Sequence, residues 1–426
     1  MRVGLISALY PPFSIGGAEL MAAQLAEGLY AQGAAVEVLS LQPPPSPGCA
    51  KVDPQVEPMK GPRVSRLALR NLYWPYDRAQ KQAAPWKRLI WHIADTDNPL
   101  MRSAVRDWAE RVKPEMVCTQ NLQGFSTGIW AALADLKIPV VHVLHDFSLL
   151  CPRTILFRDG RSCGHQKNRC RECRWLTAPR ARHTRHLQAV VGVSQSIVAL
   201  HQQHGLFTDI PTSVIYNALD DTRLMQPLAC HADPLPALAS TPAVLRLGFL
   251  GRLDTAKGID VLLAAARLLQ ATGTAVRLVL GGRGQDEDVA RWQAEYVELD
   301  VQWRGHIDPA TLWPDIDVLV FPSTSLEALG NVVLEAAAAG RPSVCSRHGG
   351  APELIEPGIT GACFAPGNVA ELAEVLRSIH ADPTQWARMG RAAHARAQAF
   401  TAQARAAAHL DLFEKVVHEH RTCTAR

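Results

Sequence analysis

The strongest constraint on the fold is an alternation of buried-strand runs and helical stretches that opens the chain and starts again near residue 245. Arg2-Val-Gly-Leu-Ile-Ser7 has the near-continuous apolar character of a strand covered on both faces, Ala18 to Ala31 is helix-periodic, and Ala35 to Leu39 is strand-like again. Met116 to Thr119, Val140 to Leu144 and Ala189 to Val193 are further strand candidates, each followed by a turn and a helix. Pro43 to Pro62 reads as an irregular loop, and Arg63 to Lys113 as a mixture of helical stretches. The second set has strands at Leu245 to Leu250, Arg277 to Leu280, Val301 to Trp303, Val318 to Phe321 and Pro342 to Cys345, with a helix at Gly258 to Thr272. Pro227, Pro234, Pro236 and Pro242 mark a linker between the sets.

These signals predict an α/β chain of two Rossmann-like domains with a cleft between them. The first would span 1–217 and carry a cysteine-rich insertion at 151–173; the linker is 218–242; the second domain is 243–385; helices over 386–426 would return to the first. A length of 426 residues exceeds what one core usually supports. The 47% hydrophobic and 20% charged content is that of an ordinary globular protein, and a net charge of +4 gives no polyelectrolyte signature for nucleic acid. Met1 to Tyr10 is too short an apolar run for a signal peptide, and no stretch has the length of a membrane span. Ten cysteines without a secretory signal read as thiols or metal ligands. The expected location is cytoplasmic, with association at the inner membrane surface left open.

Three segments carry chemistry. Gly248-Phe-Leu-Gly251-Arg252-Leu-Asp254-Thr-Ala-Lys257-Gly258 ends a strand in a turn with two cations, suited to a diphosphate whose charge grows as a bond breaks. Phe321 to Gly340 holds Glu327 in a loop and Glu335 in a helix, with the amides around Leu329, Gly330, Asn331 and Val332 at the helix start. A helix N-terminus takes phosphate, and carboxylates accept hydrogen bonds from vicinal hydroxyls, so this pairing fits a sugar nucleotide. Gly16 and Gly17, between the first strand and helix, allow close backbone approach to a ligand.

In these motifs the chain resembles glycosyltransferase family 4, whose members have the GT-B fold. The resemblance rests on Gly251 to Gly258, on Glu327 with Glu335, and on Gly16-Gly17-Ala-Glu19, His145-Asp146, Val193-Ser194, Val214 to Asp220, Gly349 to Glu353 and Gly358 to Gly361. It implies a retaining transferase that uses a nucleotide-diphosphate sugar, with no catalytic cofactor or metal. By the same resemblance Glu335 would hold the ribose and Glu327 the transferred sugar. Arg252 and Lys257 would hold the diphosphate, His145 would reach the sugar, and Gly16 and Gly17 would close on the ligands. Gly282, in Leu280-Gly281-Gly282-Arg-Gly284, would lie near the base and phosphates. Ala328 and Leu329 stand where glycine and an aromatic are common in the family, which bears on the identity of the sugar.

Cys151, Cys163, Cys170 and Cys173 end in a Cys-x2-Cys and suit a structural zinc site, with His165 as a substitute ligand; the alternative is a group of reduced loop thiols. Basic and aromatic residues interleave at Arg66, Arg70, Trp74, Arg78, Lys81, Trp86, Lys87, Arg88 and Trp91. That pattern suits an anionic membrane surface or a lipid diphosphate acceptor, or equally a solvated hairpin with its tryptophans turned inward. A dehydrogenase is disfavoured because Glu287 stands where the dinucleotide fingerprint needs its third glycine. An epimerase or phosphorylase of related fold, or a non-catalytic sugar-nucleotide binder, are the competing readings.

Overall fold

The computed structural model describes residues 1–13, 16–44, 61–76, 84–163, 171–219 and 244–424. It divides into two compact units: residues 1–155, 166–218 and 402–426 form the first, and 156–165 with 219–401 the second.

The first unit contains strands β1 (Arg2–Ser7), β2 (Ala35–Gln42), β3 (Arg63–Ala68), β4 (Met116–Thr119) and β5 (Val140–Leu144). After the two-residue strands β6 (Phe157–Arg158) and β7 (Arg161–Ser162), which pair as an antiparallel hairpin in the second unit, come β8 (Ala189–Gly192) and β9 (Thr212–Val214). The seven strands of the first unit form a parallel sheet in the order β3-β2-β1-β4-β5-β8-β9. Its helices are α1 (Gly17–Ala31), α2 (Pro85–Ala94), α3 (Pro99–Val112), α4 (Ile129–Asp135), α5 (Arg171–Arg182) and α6 (Gln195–Gln203). Helices join β1 to β2, β3 to β4, β4 to β5, β5 to β8 and β8 to β9, because parallel strands cannot be joined by a tight turn. Arg63–Ala68, expected to belong to a helical region, is instead the edge strand. Its six residues are at most half-buried, so it lacks the apolar run that betrays the central strands.

The second unit repeats the plan with β10 (Leu245–Leu250), β11 (Val276–Gly281), β12 (Asp300–Trp303), β13 (Val318–Phe321), β14 (Ser343–Ser346) and β15 (Gly361–Phe364), parallel in the order β12-β11-β10-β13-β14-β15. Its helices are α7 (Ile259–Ala271), α8 (Asp286–Glu295), α9 (Asn331–Ala338), α10 (Val369–Ala381) and α11 (Pro383–Ala397). Leu247, Leu262, Leu278, Val320, Phe364 and Leu376 are sealed inside its core. In both sheets the chain winds one way from the central strand and then the other. The switch points lie between β1 and β4 and between β10 and β13, where open α/β sheets place ligands beyond the carboxyl ends.

The tail differs from expectation. Residues 386–401 stay with the second unit, because α11 buries Trp386, Met389 and Ala393 there. Only the last helix, α12 (Ala402–Thr424), belongs to the first unit. It packs on α1, where a Cβ on Gly28 would come within 2.8 Å of the Ala406 Cβ, so the absence of a side chain there permits the approach. Of the expected linker 218–242, all but Ala218 and Leu219 lies outside the described residues.

Candidate functional site

In the second unit the loops after β10 and β13 meet at the switch point. Asp254 caps the turn after β10: one carboxylate oxygen accepts the Lys257 N–H at 2.9 Å and the other pairs with Arg252 Nη2 at 2.9 Å. Arg252, more than half exposed, is thereby tethered beside the turn that carries Lys257. Lys257 Nζ lies 2.7 and 2.8 Å from the two oxygens of Glu327, and Ser323 Oγ lies 2.7 Å from one of them. The Lys257 and Glu327 side chains are 24% and 15% exposed, so this pair is shielded far more than an ordinary surface bridge. The sequence reading assigned these two groups to different parts of a ligand, whereas the structure joins them.

Glu327 is fixed from behind by its backbone. Gly350 N–H donates to its carbonyl at 2.9 Å, and Gly349, at φ +68°, approaches so closely that a Cβ would lie 2.7 Å from the Glu327 backbone N and O. Gly349-Gly350 therefore backs this carboxylate. His348 Nε2 donates to the Ser323 carbonyl at 2.8 Å and holds the other side of the loop. Asp254 and Ser323 were missed as site residues. Their signals were present: an aspartate three residues before Lys257, as an N-cap requires, and a serine four residues before Glu327.

Gly330 is the N-cap of α9, so the amides of Asn331 and Val332 belong to its open first turn. Glu335 follows one turn later, half-buried on the same helix. Leu329 is 2% exposed; its side chain packs inward, which leaves only its backbone for a ligand. Gly282 lies just past β11 and donates its N–H to the Gly305 carbonyl at 2.6 Å.

In the first unit His145 follows β5 directly. Gln120, just past β4, donates through Nε2 to Cys118 Sγ at 3.2 Å, which sets the orientation of its amide. Its Oε1 therefore accepts from His145 Nε2–H at 2.5 Å. Burial, reinforced by the positive field of Arg405, holds the His145 pKa well below the ordinary histidine value. A neutral ring with its proton on Nε2 presents Nδ1 as an acceptor. Arg405 comes from α12; it is 4% exposed, donates to the Met21 carbonyl at 2.8 Å, and burial brings its pKa down to about 10. Nothing in the local sequence marks Arg405 as a neighbour of His145, because some 260 residues separate them.

Gly16 and Gly17 are the N-cap and first residue of α1. The Gly16 N–H already donates to the buried Glu19 carboxylate at 2.9 Å, a capping contact that occupies an amide the sequence reading offered to a ligand. Ser14 and Ile15 lie outside the described residues.

Of the expected zinc ligands, Cys151 is buried and Cys163 and Cys173 are half-buried. Cys170, with His165, lies outside the described residues. Among the described residues no three His, Cys, Asp or Glu side chains gather in a group able to hold a metal ion. No helix among the described residues is long and apolar enough to cross a membrane. Within the basic and aromatic stretch, Arg66 is an internal anchor, with its guanidinium on the Tyr10 and Pro11 carbonyls at 3.4 and 2.7 Å. Trp91 is 1% exposed, while Arg78 and Lys81 lie outside the described residues.

Known proteins are similar to this arrangement. The profile described as "Glycosyltransferase Family 4" matches residues 15–223, and that described as "Glycosyl transferases group 1" matches 245–382. An "Uncharacterized 42.6 kDa protein in cps region" of Klebsiella pneumoniae is 26% identical over 83% of this chain and 87% of its own length. A glycogen synthase of Mycobacterium tuberculosis is 34% identical over 43% of each chain. Among solved structures, sucrose-phosphate synthase of Thermosynechococcus elongatus superposes with a TM-score of 0.71 at 21% identity, over 98% of this chain and 99% of that one. HepE of Anabaena, solved in complex with UDP, superposes with a TM-score of 0.68 at 20% identity, over 97% and 100%. Both are GT-B structures and share the two parallel-sheet α/β units. With one profile on each unit, the chain belongs to the group 1, family 4 glycosyltransferases.

Proposed function

We propose that this enzyme transfers a hexosyl unit from a UDP- or GDP-sugar to a hydroxyl acceptor, a glycan or lipid-linked glycan, with retention of anomeric configuration. The observation that carries the reading is the Lys257–Glu327 pair beside Arg252, at the mouth where the α9 amides emerge. An ammonium has three N–H donors, and two of them serve Glu327. The third can take a phosphate oxygen without breaking the pair, so a bound diphosphate and a sugar hydroxyl on Glu327 would be read by one connected group. Arg252, released from Asp254, adds the second positive charge, and these cations supply the stabilisation of the leaving diphosphate without a catalytic metal. The α9 N-terminus favours phosphate, and Glu335 would accept from the ribose hydroxyls.

His145, neutral with Nδ1 as acceptor, would orient a sugar hydroxyl. The acceptor hydroxyl then attacks from the face the diphosphate leaves, through an oxocarbenium-like state. Its proton passes to a leaving phosphate oxygen as the new glycosidic bond forms and the bond to the diphosphate breaks. Support for a nucleotide-sugar donor comes from the UDP bound by HepE, and support for a glycan acceptor from the glycogen synthase similarity.

The test is release of nucleoside diphosphate from a panel of UDP-, GDP- and ADP-sugars, with and without EDTA. The reading requires turnover of one donor that survives the chelator, and an α-linked product from an α-linked donor. Turnover of none, or an inverted product, defeats it.

A further inference from the structure

Helix α2 is built inside out for a globular domain. Its sequence, Pro-Trp-Lys-Arg-Leu-Ile-Trp-His-Ile-Ala, is strongly amphipathic, yet Trp91 is its one buried residue. Trp86, Leu89, Ile90 and Ile93 follow the i, i+3, i+4, i+7 spacing of a single face, and that face points to solvent, each residue 45 to 58% exposed. Trp91 anchors the opposite side through its indole N–H on the Tyr73 carbonyl at 3.1 Å. The neighbouring segment adds Leu72, 55% exposed, and α5, whose Leu176 carbonyl meets Thr96 just past α2, adds Trp175 at 62%. Cationic residues lie on the same elements: Lys87 and Arg88 on α2, Arg70 before Leu72 and Arg174 before Trp175, all exposed. Lys87 sits over the Trp86 ring at 5.5 Å, and α2 contains no acidic residue.

We infer that α2, with Leu72 and Trp175 beside it, is a docking face for an anionic phospholipid surface. An apolar stripe on a short helix, edged by lysine and arginine, lies in the plane of the headgroups with its hydrophobic tips among the upper acyl carbons. The positive rim selects anionic over zwitterionic headgroups, a complementarity that a neutral protein partner would not use. This docking is independent of the transfer chemistry, since none of these residues belongs to the site described above.

The experiment is sedimentation of the full chain with vesicles of phosphatidylglycerol or of phosphatidylcholine at low and high salt. Wild type is expected to partition onto phosphatidylglycerol, weaken with salt and bind phosphatidylcholine poorly. Ile90→Asp should abolish binding. Lys87→Gln with Arg88→Gln should weaken it by about five-fold per charge removed. Circular dichroism and the thermal midpoint should match wild type in both variants, because the altered side chains are solvent-facing. Failure of wild type to bind phosphatidylglycerol overturns the proposal, as does equal binding by the folded Ile90→Asp variant. A lipid-free dimer that Ile90→Asp dissociates would reassign the face to a second copy and overturn it equally.

Discussion

The carboxyl ends of the two sheets follow one topology and opposite electrostatic designs. In the second unit the groups at the switch point are charged and mutually paired: Arg252 with Asp254, and Lys257 with Glu327. In the first, His145 is uncharged, positioned by the neutral amide of Gln120, and surrounded by His142, His409 and the buried cation of Arg405. The contrast indicates a division of labour. In the proposed reaction the second unit would meet an anion that gains charge, and the first would orient an uncharged ring without offering it a proton.

Acid should break that symmetry most visibly. Burial holds His142 and His409 down at about 3 and His92 at about 4, against an ordinary value of 6.5. A depressed histidine pKa gives stability that is complete above 6.5 and lost as pH falls toward the folded value. At pH 5, His142 and His409 should each cost about 2 kcal/mol. Asp95 works the other way: burial raises its carboxyl to about 7, so its protonation on acidification relieves strain and offsets roughly one histidine. Hydrogen exchange, corrected for intrinsic rate, should show β5 and α12 losing protection between pH 7 and 5 before β10 and β13 do. Equal losses in both units would remove the contrast.

Lys257→Ala should lower turnover by about 10² to 10³ if its charge stabilises the leaving group. Donor-hydrolysis kinetics measure this, and a wild-type rate would end its assignment. Gly349→Ala forces a Cβ against the Glu327 backbone at positive φ, and should cost roughly 2 kcal/mol in the thermal unfolding of the protein while weakening donor binding. The smallest effect belongs to Gln120→Leu. Losing one hydrogen bond should reduce kcat/KM by about ten-fold. The more telling readout is ¹⁵N NMR of the His145 ring: Nε2–H is expected in wild type, and a mixture of tautomers in the variant. Unchanged tautomers would show that Gln120 does not set them.

What the sequence disclosed follows the range over which each contact acts. The loops after β10 and β13 were legible because strand, turn, cap and helix start lie within twenty residues, and apolar runs and glycines mark their limits. The Lys257–Glu327 pair was not, since spacing along the chain says nothing about which loops of a parallel sheet become neighbours. The edge strand Arg63–Ala68 escaped because its side chains are only half covered and its pattern stays mixed. The partners of His145 were hardest: Gln120 comes from an adjacent strand and Arg405 from the last helix, and no periodicity links them.

The placement of α12 in the first unit has a consequence for biosynthesis. A nascent chain that has emerged through Phe400 already contains every strand of both sheets, yet the helix that carries Arg405 and the buried Phe413 onto α1 is still to come. The unit begun first is thus the unit finished last. Until then its α1 surface waits uncovered, and on the ribosome the second unit has the first opportunity to reach its native state.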